Sequence, residues 1–349
     1  MKATEEKKAS KEEKKQKHPL ARRRLLFFSS STIIVVLVVL YALRVGAVSF
    51  TTEEVWSGFT STEQTMARKI VWDLRVPRVV IGLMVGMSLS IAGSLLQGVM
   101  KNPLADPGII GVSSGAGLVA TIIMILFPQH ALLIPGGAFL GAFITAMLIY
   151  LLAWQQGANP MRIILVGIAV NAVIGAVMSA IMLLYSDRVQ AILPWLAGGI
   201  SGVGWNHVNM ICWYVLLAFV LSFFSIKHIR ILMLGDEVAK LLGNKVERSR
   251  FFLIVVSTLL AGIAVSVSGL IGFVGLVVPH IMRLIVGNDY RYLLPASAIG
   301  GAILLVLADT IARSWFDPIE LPVGILLSFL GGPFFLFIIR KGGKRYAAN

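Results

Sequence analysis

Apolar residues fall into ten runs parted by short polar segments, at about 25–45, 79–98, 109–127, 134–154, 163–185, 208–226, 251–268, 271–287, 293–312 and 322–339. Most approach the roughly 20 residues that an α-helix needs to cross a bilayer. The runs at 251–268 and 271–287 are short and parted by Gly269, so they can also be one long feature. The pattern predicts an all-α, polytopic membrane helix bundle of about ten spans.

Composition agrees. Of 349 residues, 57% are hydrophobic and 14% charged, where a soluble domain carries about 25% charged residues. The net charge of +14 raises the question of nucleic acid, but the basic residues sit between apolar runs, where they set membrane orientation. With the amino terminus inside, the inner segments hold 24 Lys/Arg and the outer ones 7. The inner set is the tail, Lys101, Arg162, the 227–250 loop, Arg283, Arg291 and the end from Arg340. The outer set is Arg44, Arg68, Lys69, Arg75, Arg78, Arg188 and Arg313. Both termini are therefore expected in the cytoplasm, in a multi-pass protein of the inner (cytoplasmic) membrane.

Three regions follow. Residues 1–24 carry ten Lys/Arg against four Glu, a composition expected to stay disordered and solvated, or to rest on anionic lipid. Residues 25–340 form the membrane domain, with a cytoplasmic segment at 227–250. Residues 341–349 are a second cytoplasmic tail. The run Leu25–Leu43 is too long for the apolar part of a signal peptide and reads as the first span. Cys212 stands alone, so no intrachain disulfide can form.

Several function classes lack their residues. No G-x-x-x-x-G-K-[ST] phosphate loop is present, so the chain is not expected to bind ATP. No Cys/His cluster suggests a metal, and the five histidines are scattered. No catalytic or cofactor-binding residue is expected. Charge inside the runs is nearly confined to Asp309 and Arg313, which can pair at i, i+4 or serve in docking. Small residues such as Gly82, Gly86 and Gly93, or Gly300 and Gly301, let helices approach closely in lipid, for packing alone or for sliding.

Two segments stand out. In Leu234-Gly-Asp-Glu-Val-Ala-Lys-Leu-Leu-Gly243, Asp236 suits a helix N-cap and Glu237 the first turn. Val238, Leu241 and Leu242 share a face, and Gly243 suits the stop. This predicts a short amphipathic helix at the cytoplasmic surface, either a passive interfacial element or a docking one. In Asp73-Leu-Arg75-Val-Pro-Arg78, the arginines are three apart at the expected start of a span. They can be snorkelling anchors or receive carboxylates from a partner.

Together these segments resemble the iron-siderophore/cobalamin (FecCD-type) permease family of binding-protein-dependent ABC importers. The resemblance runs from about Val71 to Arg340. It is carried by Leu74-Arg-Val-Pro-Arg78, Gln97 with Lys101-Asn-Pro-Leu-Ala-Asp-Pro-Gly108, Gly111-Val-Ser-Ser-Gly-Ala116, Trp195 with Gly198-Gly199, and the 234–243 segment. It continues through Gly269-Leu-Ile-Gly-Phe-Val-Gly-Leu-Val-Val-Pro-His280 with Arg283, Ala308-Asp309 with Arg313, and Glu320-Leu-Pro-Val-Gly324 with Gly331-Gly-Pro333.

The resemblance implies a permease that forms its pathway with a second permease subunit, identical or homologous. Two cytoplasmic ATPase subunits and an extracytoplasmic substrate-binding protein would complete the importer, with ATP used by the partners. It implies ATPase coupling by Leu234, Gly235, Asp236, Glu237, Ala239, Lys240, Leu242 and Gly243. It also implies binding-protein docking by Arg75, Arg78 and Arg313. Structural or gating roles would fall to Asn102, Pro103, Gly272, Gly275, Pro279, His280, Arg283, Asp309, Glu320, Pro322 and Gly324. The cargo implied is an iron(III)-siderophore complex, with haem or cobalamin as alternatives. An ion-coupled secondary transporter is the rival from another class, and a membrane-embedded enzyme a third.

Overall fold

The structure is a computed structural model, and it describes residues 2–46, 48–60, 65–155, 157–316 and 319–346. The helices are α1 (Lys2–Arg44), α2 (Thr52–Thr60), α3 (Met66–Val99), α4 (Val112–Leu126), α5 (Ile134–Leu152, entered through a 3-10 stretch), α6 (Pro160–Leu184) and α7 (Val189–Ala197). They continue with α8 (Trp205–Leu232), α9 (Asp236–Leu241), α10 (Val246–Ser268), α11 (Val274–Val286), α12 (Tyr290–Ser314) and α13 (Val323–Tyr346). Among the described residues seven apolar stretches are long enough to cross a membrane, and α4, α11 and the apolar part of α13 are shorter. Thirteen residues of α11 reach only about 20 Å, so the run at 271–287 is a partial span. Chain reversal at Gly269 and Phe273, both at positive φ, separates it from α10.

The centre of the bundle is α3, which packs against α8, α10, α11 and α12. Of its most apolar window 78% is buried, against 11% for α6. Sequence explains the difference. A Cβ on Gly86 would collide with the backbone of Gly301, and one on Gly93 with that of Gly275. Glycine at these positions lets three helix backbones touch. By contrast α6 is apolar around its circumference, with Leu165, Ile168 and Val173 exposed, as suits a helix facing lipid or another subunit.

The tail departs from expectation. Helix α1 continues back to Lys2 rather than leaving residues 2–24 as irregular chain. Its Ala, Lys, Glu and Gln residues are strong helix formers.

The segments that charge assigns to one side meet at one end. Arg24 donates to Val286 O (2.8 Å), Lys101 pairs with Asp236 (3.0 Å), and Ala158 N donates to Glu247 (2.9 Å). At the opposite end Arg75 donates to Leu43 O (2.6 Å), and Arg78 pairs with Asp309 and Glu320.

Candidate functional site

The outer end is built on a defect in α3. Residues Lys69–Arg75 form a π-helical stretch, and Val76 N reaches Val71 O. The wider turns admit Pro77, which has no N–H to give and whose ring crowds the preceding turn. Arg75 and Arg78 therefore lie inside one continuous helix, not at its start. Trp205 fixes this stretch by donating to Trp72 O (2.9 Å).

The three arginines do not form a free cationic patch. Arg75 is 5% exposed and Arg313 6%. Arg75 donates to the carbonyls of Leu43, Arg44 and Val48, and Arg313 to that of Ala42. Two cations thus satisfy the last carbonyls of α1, where the helix dipole favours positive charge. Arg78 makes a two-pronged pair with Asp309 (2.9 and 2.9 Å) and a third bond to Glu320 (2.9 Å). Asp309 takes Arg78 as its main partner, while Arg313 Nε stays 3.9 Å away. Ser201 donates to Glu320 at 2.7 Å. Burial works to raise the Glu320 carboxyl, yet the bonds from Ser201 and Arg78 hold it below the ordinary value. A cavity of about 480 Å³ beside these groups is lined by Asp73, Arg75, Arg78, Gly202, Arg313 and Glu320.

The inner end centres on Asp236. Its carboxylate receives Lys101 (3.0 Å) and buried Arg250 (2.7 Å). Arg250 also donates to Ala158 O (2.6 Å) and Glu247 (2.8 Å). Burial would raise the Asp236 carboxyl, but the Arg250 bond, followed by Lys101, holds it low. The expected N-cap is thus replaced. Gly235, at φ 100°, occupies that position, and the Asp236 side chain turns back to the bundle. The expected stop at Gly243 is found. Gly243, at φ 74°, donates to Lys240 O (2.9 Å) and Asn244 to Ala239 O (3.0 Å), the double bond of a Schellman cap. Ala239 is fully buried, while Val238, Leu241 and Leu242 are 45%, 87% and 65% exposed. Leu234, Glu237 and Lys240 are exposed as well.

Between the ends, non-helical chain enters the bundle. After Lys101, the Asn102 side chain accepts Leu104 N (2.9 Å) and turns the chain at Pro103. The segment reaches far enough for Gly108 O to accept Asn171, near the middle of α6 (3.1 Å). Non-helical backbone at such depth persists where protein or a wet cavity covers it. Asp106 lies here, accepting Gly108 N (2.8 Å) and facing Gly275. Sequence reading misses it as a carboxylate inside the bundle, because it precedes a proline and resembles a surface turn.

Pro279 explains a second contact. It cannot donate to Gly275 O, and Gln97 Nε2 donates there instead (3.2 Å), sharing with Leu276 O (3.2 Å). Arg283 reaches the Tyr290 hydroxyl (3.4 Å), which donates to Ser94 O (3.0 Å). The His280 ring makes no hydrogen bond among the described residues, and a Cβ on Gly272 would meet open space. Gly324 packs under Ala197 and donates to Gly198 O (2.9 Å), with Pro322 beside Gly199. Among the described residues no group of His, Cys, Asp and Glu could hold a metal ion.

A central helix crossed by close glycine contacts, a short helix at one end and a carboxylate-arginine knot at the other define a transport permease. A sequence profile of the FecCD transport family matches residues 34–341, and the chain belongs to that family. It is a multi-pass protein of the cytoplasmic membrane and an ABC importer permease. It is 37% identical over 305 residues to the Fe(3+)-citrate import system permease protein YfmE of Bacillus subtilis, covering 87% of this chain and 91% of that one. To the hemin transport system permease protein HmuU of Yersinia pestis it is 39% identical over 310 residues, covering 86% and 91%. Its fold is similar to an inward-facing structure of a metal-chelate type ABC transporter, with TM-score 0.80 and 29% identity, over 90% of this chain and 99% of the other.

Proposed function

We propose that this chain pairs with a second permease subunit to carry iron(III)-siderophore complexes, driven by two ATPase subunits and fed by an extracytoplasmic binding protein. The observation that carries the reading is α9. A six-residue helix leaves three apolar side chains uncovered while its acidic end is fastened into the bundle. Such a surface suits a cleft in a partner.

The working cycle follows from the fastening. ATP use in the partner displaces α9. Asp236 transmits the movement through Lys101 to the end of α3 and the 102–111 segment, and through Arg250 to α10. Helices that touch through glycine then shift, opening the route between the two permease subunits. No chemistry occurs in this chain.

At the outer end, docking rests on partner exchange. A carboxylate of the binding protein takes the place of half-exposed Glu320 on Arg78. Arg75 and Arg313 support this only by holding the end of α1, since both are buried and donate to backbone carbonyls there. Receptor affinity should fall in Arg78→Glu and rise in Glu320→Gln. Equal affinity in both variants removes the docking role.

Replacing Leu241 and Leu242 by serine tests the α9 reading. The permease should still fold, but ATPase subunits should co-purify weakly and uptake should stop. Full co-purification with normal uptake would contradict it. For cargo, the relative named for Fe(3+)-citrate supports a ferric chelate, and the one named for hemin keeps haem as a second reading. Competition between a radiolabelled ferric hydroxamate and haem during uptake separates them.

A further inference from the structure

At the cytoplasmic end a groove of about 770 Å³ runs between α8 and the turn that starts α12. Its mouth carries Lys227, Arg230 and Arg291, all exposed. One carboxylate, Asp289, stands among them, bound to Arg291 at 2.7 Å and near Arg230 at 3.9 Å. Asp289 also accepts Arg291 N, capping α12. Lys227 has no ion-pair partner among the described residues. Three cations therefore face one acid, and the mouth keeps an excess of two positive charges. The groove then changes character. Phe223 and Ile226 line its deeper wall, and Phe223 lies about 6 Å further along α8 from Lys227 toward the bilayer centre.

We infer that this groove holds one anionic phospholipid, its phosphate among Lys227, Arg230 and Arg291 and its acyl chains along Phe223 and Ile226. Cation above and hydrocarbon below, at the cytoplasmic end of a membrane bundle, is the layering of an inner-leaflet lipid. Basic pockets between helices on that side suit phosphate headgroups. A soluble anion would have no use for the apolar wall, and an acidic protein surface no use for its depth. The groove also reaches Leu234, two residues before α9, so the lipid would brace the base of that helix. The inference stands without the coupling role, because it needs only membrane residence and the geometry of the groove.

Native mass spectrometry of the purified full-length permease in dodecyl maltoside tests this, with dioleoylphosphatidylglycerol or dioleoylphosphatidylcholine as the probe. One phosphatidylglycerol should be retained at least about tenfold better than phosphatidylcholine. Lys227→Gln/Arg230→Gln/Arg291→Gln should lower that retention about tenfold, the scale expected from lost cation–headgroup attraction. Lys227→Gln alone, which disturbs no ion pair, should lower it about threefold. Replacing Lys2, Lys7 and Lys8 of the tail by glutamine should change nothing. Equal retention of the two lipids, or full phosphatidylglycerol retention by folded groove variants, overturns the site. So does loss of retention on changing the tail lysines, or loss of ATPase-subunit binding in the groove variants with lipid unaffected.

Discussion

Gln97 shows how a single side chain completes the bundle. Pro279 strands the carbonyl of Gly275, and Gln97 is the group that reaches it. An unpaired buried carbonyl costs about 1–3 kcal/mol, and hydrogen bonds inside membranes average nearer the low end. Gln97→Leu should therefore lose about 1 kcal/mol of stability in reversible denaturant unfolding, while Gln97→Glu at a pH that keeps it neutral should lose less. Arg78 carries more. Its removal leaves buried Asp309 with only Arg313 Nε, 3.9 Å away, and breaking a buried pair costs about 3–5 kcal/mol in comparable sites. Arg78→Ala should lower the unfolding midpoint far more than Glu320→Ala, because Glu320 can return to water. At this scale sequence was only partly readable. The motif residues were visible, but their partners were not. Arg75 read as a snorkelling or docking cation and Arg313 as a partner of Asp309 or a docking cation, and nothing in spacing tells that they would close the end of α1, a helix far away in the chain.

Among the elements, α9 was the most legible. Its apolar spacing, acidic first turn and Gly243 stop specify a short helix locally. The N-cap was misassigned because Asp236 has a better use, pairing with Lys101 and Arg250 from distant segments. Gly243→Ala forces a Cβ into positive φ and should cost about 1 kcal/mol, with weaker ATPase stimulation by loaded receptor. The Asp236 knot also sets a pH dependence. Its folded value lies below the ordinary carboxylate value of 3.8. Its contribution is complete above about pH 4 and disappears as pH falls through the lowered folded value. Stability curves of the wild type and Asp236→Asn should therefore stay a constant distance apart above about pH 4 and converge below it. The π-helical stretch of α3 and the shortness of α11 were less legible. Both arise where Pro or Gly meets tertiary packing, and apolar count alone does not mark them.

Across the whole molecule, the two-ended layout was legible because charge placement obeys the membrane, not local propensity. The inner segments do gather around Asp236 and Arg24, and the outer ones around Arg78. Depth was not legible. A polar turn such as 102–111 reads as surface chain, yet it is drawn inward by Asn171, and Asp106 goes with it. In the proposed cycle the close glycine crossings on α3 are the contacts at which helices shift. Gly93→Val should separate α3 from α11 and abolish uptake, even where the protein still inserts.

In the proposed cycle, transport through this chain is driven by ATP in partner subunits. Uptake of a ferric siderophore into proteoliposomes containing the permease, its ATPase subunits and its binding protein tests it most directly. With ion gradients collapsed by ionophores, uptake should persist, require enclosed ATP and stop in Leu241→Ser/Leu242→Ser. Uptake that survives without ATP and ceases on gradient collapse would contradict the account.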